Sequence, residues 1–93
     1  MRVRALVESR VDADRMLLAA RSALAADADL LTLAERAEVD ALMAALRAML
    51  GSDDTVQIEA ATKALAQGTE AFAALRMNRG IQRALAGKNI AAV

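Results

Sequence analysis

The chain has 93 residues, with 25 alanines, 13 leucines, one phenylalanine and no tryptophan, tyrosine, proline, cysteine or histidine. That inventory excludes disulfides, zinc fingers, thiol nucleophiles, serine-histidine-aspartate triads and histidine-bearing metal sites. Its 12 basic and 12 acidic residues cancel, so charge gives no reason to expect nucleic acid or an anionic membrane as a partner.

The apolar fraction is 57%, yet only 28 of those residues are larger than alanine (Leu, Ile, Val, Met, Phe). They suffice for one thin core. The longest uncharged stretches, 41–46 and 64–69, are six residues each, against the roughly 18 that a membrane span requires. Neither a transmembrane helix nor a signal peptide is expected, and a cytoplasmic location follows as the default.

Helix signals divide the chain into segments joined by short turns. The first helix is predicted over about 2–27. Its stripe is Val3, Leu6, Ala13, Leu17, Ala20 and Leu24, widened by Val7, Val11 and Leu18. The period lapses at Asp27. Thr32-Leu33-Ala34-Glu35 then reads as a capping box that opens a second helix over 33–50. Val39, Leu42, Met43, Leu46, Met49 and Leu50 form its core face, and Gly51 stands where a C-terminal glycine belongs.

The turn at 51–54 is short, which sets the third helix antiparallel to the second. Asp54 is its predicted N-cap, with Gln57 as capping-box partner. The seam runs through Ile58, Ala61, Leu65, Gly68, Phe72 and Leu75, then rotates to Met77, Ile81, Ala84 and Leu85. That rotation places a kink near 78–80, dividing the tail into helices over 54–76 and 77–86, with Gly87 as the stop. The fold class is therefore all-α: an antiparallel three-helix bundle with a kinked or separate C-terminal helix.

Lengths add an asymmetry. At 1.5 Å per residue the second helix is about 27 Å long and the first about 39 Å. Antiparallel pairing leaves the first two turns of helix one, with Val3, Leu6 and Val7, as an overhang that something else must cover. At the opposite end, Met77, Ile81 and Leu85 are expected to fold over the turn at Leu30 and Leu31, closing the bundle there.

Chemistry-bearing clusters are few. Asp27, Asp29, Glu35, Glu38 and Asp40 gather around the first turn but lack the alternating acids, glycine and distal glutamate of a calcium loop. Complementation of the helix dipole explains most of them. Arg76, Arg79, Arg83 and Lys88 form a run without an acid, suited to a helix C-terminus or to a basic partner-binding face. Met16, Met43, Met49 and Met77 read as core filling. The adjacent Asp53 and Asp54 diverge on a cap, so no acid-base pair and no enzyme is expected.

One ordered set of phrases carries a resemblance: Ala23-Leu24-Ala25-Ala26-Asp27-Ala28-Asp29-Leu30-Leu31, Ala34-Glu35-Arg36, Phe72-Ala73-Ala74-x-Arg76-Met77 and Arg83-Ala84-Leu85-x-Gly87. Together they resemble the C-terminal helical lid of the HscA family, the DnaK-type chaperones of bacterial iron-sulfur cluster assembly. The likeness covers nearly the whole chain. It implies that the ATP-binding domain and the β-sandwich peptide-binding subdomain are absent here, that Met1 does not start the complete family protein, and that this segment holds no cofactor of its own. It further implies that helix one lies over the β-sandwich. The parent's partners would be a peptide of the iron-sulfur scaffold protein and a J-domain co-chaperone.

DnaK-type lids also carry a latching aspartate shortly before a leucine pair, and Asp14, before Leu17 and Leu18, stands at the matching place. Leu18 replaces the polar second latch residue, which favours looser closure. A simpler role for Asp14 is a pair with Arg10 one turn back. The expected lid contacts are Val3, Leu6, Val7, Arg10 and Asp14. A different reading of the same residues is a free-standing interaction module that dimerises through helix one.

Overall fold

In the computed structural model the backbone is described over residues 2–92 and the side chains over 4–86. Four α-helices and one short 3-10 turn make up the described chain: α1 (Arg2–Asp27), the turn Ala28–Leu30, α2 (Leu33–Met49), α3 (Thr55–Gly68) and α4 (Glu70–Ala92). No strand occurs among the described residues.

Local chemistry sets these boundaries. The Thr32 hydroxyl accepts from the Glu35 N–H at 3.1 Å while the Thr32 N–H donates to the Glu35 carboxylate at 2.9 Å, so the capping box forms in both directions. Asp54 caps α3 by accepting from the N–H groups of Val56 and Gln57. The reciprocal partner is not Gln57. The Asp54 N–H donates instead to the Ser52 hydroxyl at 3.0 Å, which is closer along the turn. Gly51 follows α2 without a left-handed conformation; the Ser52 N–H donates to the Met49 carbonyl and closes the turn by itself.

α2 packs most extensively on α3, α1 lies along α3, and the α1–α2 contact is slighter. Their shared core contains Ala13, Leu17, Ala20, Ala23, Leu24, Val39, Met43, Leu46, Ile58, Leu65 and Phe72. The alanines of α1 let the helices approach closely, which is how so few large side chains fill the interior. At Gly68 the approach is closest: a Cβ there would collide with the Leu42 side chain. The core face predicted for α2 matches, and Ile58, Ala61, Leu65 and Phe72 of the next seam do as well, whereas Leu75 is exposed. Of the α1 stripe, Val7, Val11 and Leu18 do not belong to the core; they lie on the far side of the helix.

The expected kink at 78–80 is corrected: the chain bends at Gly68 and Thr69, and α4 runs unbroken through Gly80 and past the predicted stop at Gly87. The reason is Thr69. Its hydroxyl donates to the carbonyls of Leu65 and Ala66 at 2.9 and 3.1 Å. Side-chain hydroxyls bonded back to the preceding turn bend helices, and here Thr69 leaves the helical region at φ −107°, ψ 2°.

A second correction concerns the bundle's ends. Met77, Ile81 and Leu85 do not fold over the α1–α2 corner; all three are at least half exposed, and residues 80–86 extend past it. Phe72 is the side chain that α4 buries. The molecule is thus open at both ends, with α1 overhanging one and α4 the other. Its extents of 59 × 30 × 17 Å and radius of gyration of 16.7 Å record this, against about 12 Å for a compact domain of this length.

Candidate functional site

α1 carries two apolar faces. At 3.6 residues per turn, Val7, Val11, Asp14 and Leu18 fall within about 60° of one another and roughly opposite Ala13, Ala20 and Ala23. The inner face is buried. The outer one is not: Val7, Val11 and Leu18 are 52%, 42% and 63% exposed, and Asp14 stands exposed between them. The exposed side of α1 is thus an apolar stripe interrupted by one solvated carboxylate.

Other expected contacts are distributed differently. Leu6 is corrected: expected in the uncovered overhang, it is half-buried and packs against the bundle core. The side chain of Val3 lies outside the described residues. Arg10 does not meet Asp14. Its guanidinium donates to the Ser52 carbonyl at 3.0 Å and reaches Asp53 at 3.5 Å, tying α1 to the α2–α3 turn. The adjacent residue, buried Ser9, donates to Glu59 at 3.2 Å. Before these two ties Leu6 still touches the core, while Arg4, Ala5, Val7 and Glu8 are exposed.

At the other end, the acidic and basic clusters find each other. Arg76 Nε donates to Asp27 at 2.9 Å, and Arg79 donates to Asp27 at 3.0 Å and to both carboxylate oxygens of Asp29. The Asp27 side chain is only 12% exposed. Hydrogen bonds from Arg76, then Arg79, hold its carboxyl below the usual range, and the Arg79 bond does the same for Asp29. The Asp29 and Asp27 carboxylates in turn raise the Arg79 guanidinium. Arg76 also lies 6.0 Å above the Phe72 ring centroid, capping the buried aromatic. Asp27 and Asp29 therefore anchor α4, a role beyond the dipole complementation expected of them.

The chain is thus an all-helical bundle whose first helix buries one face and leaves a second exposed. No protein-family model matches it. Curated relatives do: the chaperone protein HscA homolog of Delftia acidovorans is 66% identical over 90 residues, covering 97% of this chain and 14% of the relative. That of Acidovorax sp. strain JS42 is 64% identical over 94 residues, 100% of this chain and 15% of the relative. The homolog of Burkholderia thailandensis is 58% identical over 90 residues, again 97% and 14%. The chain is a homologue of one segment of HscA-type chaperones, and it spans about one seventh of the length of those relatives. Among the described residues, no helix is long and apolar enough to cross a membrane.

Proposed function

We propose that this chain is the C-terminal, non-catalytic lid of an HscA-type chaperone, closing over a peptide held by an adjoining β-sandwich of the same polypeptide. The observation that supports the reading is the outward stripe of α1, Val7-Val11-Asp14-Leu18, set opposite the face that the bundle itself consumes. Arg10 and Ser9 fix α1 rigidly to the bundle, so the stripe moves as one piece with it.

The magnitudes suit a reversible cover. Each of the three outward apolar side chains has about half its surface left to bury, worth on the order of 1 kcal/mol apiece. A few kcal/mol in total shifts an open-closed equilibrium by about two orders of magnitude, enough to retain a peptide and little enough to be undone by a coupled domain. Leu18 in the stripe makes closure mainly apolar, with Asp14 as an orienting acceptor for sandwich-loop donors. ATP binding belongs to another domain of the parent, and the client peptide of an iron-sulfur scaffold protein and the J-domain co-chaperone contact regions beyond this segment. The setting is cytoplasmic.

The test is peptide release from the full-length chaperone, with and without this segment. Faster release on removal supports the lid. Unchanged release, with the isolated chain forming a dimer that substitutions at Val7 abolish, favours the self-associating module instead.

A further inference from the structure

α4 is attached to the rest of the molecule in an uneven way. It begins at a bend whose only backbone continuity with α3 is the Thr69 turn, where the Thr69 N–H donates to Leu65 and the Ala73 N–H to Thr69. Its contacts with α3 and with the Ala28–Leu30 turn are sparse beside those of α1, α2 and α3 with one another. Over its first ten residues only Phe72 is buried, and it lines a shallow cavity together with Met16, Ala19, Ala20 and Ala23 of α1. Among the described residues the polar attachment is confined to Arg76 and Arg79 on Asp27 and Asp29. Beyond Arg79, residues 80–86 are all exposed.

We propose that α4 is a strap that detaches from the bundle about Thr69 while α1, α2 and α3 stay folded, and that the Asp27–Arg76–Arg79 cluster is its catch. Of the eleven buried core residues described, only Phe72 comes from α4, so the three-helix unit keeps most of its interior when α4 leaves. Detachment uncovers the small apolar seat of Phe72 on α1, on the side of that helix away from the Val7-Val11-Leu18 stripe. Local stability in proteins follows buried contact density, and the two parts of this chain differ sharply in it. The charged catch is what gives the open state a controllable population: guanidinium hydrogen bonds to a mostly buried carboxylate are strong individually but are lost together when the carboxylate is neutralised.

Native-state amide exchange on the 93-residue chain, with and without Asp27→Asn, tests this. The expected result is at least about a tenfold faster exchange over residues 72–79 in the variant, from the loss of charge-assisted hydrogen bonds, with amides over 39–46 and 58–65 unchanged. In the unmodified chain, low denaturant should open 72–79 before those core amides. Equal loss of protection in all four helices overturns the proposal, because α4 would then belong to one cooperative unit. Unchanged exchange over 72–79 in Asp27→Asn overturns it as well, because the cluster would not be the catch.

Discussion

Arg76 Nε donates to Asp27 Oδ2 at 2.9 Å, joining residues 49 apart in the chain. Ser9 and Glu59, 50 apart, pair α1 with α3 near the other end of α1. The near-constant offset shows that α3 and the start of α4 travel alongside α1 in one register, with the Thr69 bend absorbed in passing.

Acid should weaken that register at its α4 end. The Asp27 and Asp29 carboxyls are depressed in the folded chain by the guanidinium hydrogen bonds. The unfolded chain therefore takes up protons first, so their stabilisation is complete above the ordinary carboxylate value of about 4 and is lost as pH falls below it through the lower folded values. Melting curves between pH 7 and 2 should show this fall, and Asp27→Asn should make it shallower.

Core truncations should divide by face. Leu65→Ala removes a fully buried side chain and should cost about 2 to 5 kcal/mol in urea unfolding. Leu18→Ala on the outward face should change stability by less than about 0.5 kcal/mol.

Gly68 and Gly80, both helical, should respond differently to alanine. At Gly80 an added Cβ meets nothing within 4 Å, so Gly80→Ala should strengthen α4 by about 0.5 to 1 kcal/mol. At Gly68 the same change displaces the Leu42 side chain, and the gain should be reduced or reversed. Leu42→Ala combined with Gly68→Ala should then cost less than the two single effects added, a coupling measurable in a double-mutant cycle.

Thr32→Ala should cost about 0.5 to 2 kcal/mol by removing the hydroxyl that accepts from the Glu35 N–H. The readout is the thermal midpoint, with the exposed pair Arg36–Asp40 as a control expected to contribute a few tenths of a kcal/mol at most.

Much of this architecture is legible in residue spacing. The capping box at Thr32, the N-cap at Asp54 and the core faces of α2 and α3 all follow from local pattern, because each depends on residues within a turn or two. The bend is less legible: Gly68 and Thr69 sit inside a continuous apolar seam, and only the close approach of Leu42 shows that the glycine is needed there. The outward face was hidden by the same alanine that makes the core. With small residues on the buried side, Val7, Val11 and Leu18 outweigh it in apolar size and draw the stripe toward themselves. Their spacing with Asp14 held the missing signal, since it places them opposite Ala13, Ala20 and Ala23. The Arg76 and Arg79 anchors were foreshadowed by a basic run without acids, whose counter-charges lay about 50 positions earlier at Asp27 and Asp29.

Val11→Asp, introduced into the full-length chaperone, probes the lid reading most directly. Val11 is 42% exposed on the outer face, so the isolated chain should melt as before. A carboxylate placed in an apolar contact loses the burial and adds a desolvation cost. The lid account predicts client-peptide release faster by about tenfold or more. Release at the unsubstituted rate from a chaperone whose lid segment remains folded would contradict it.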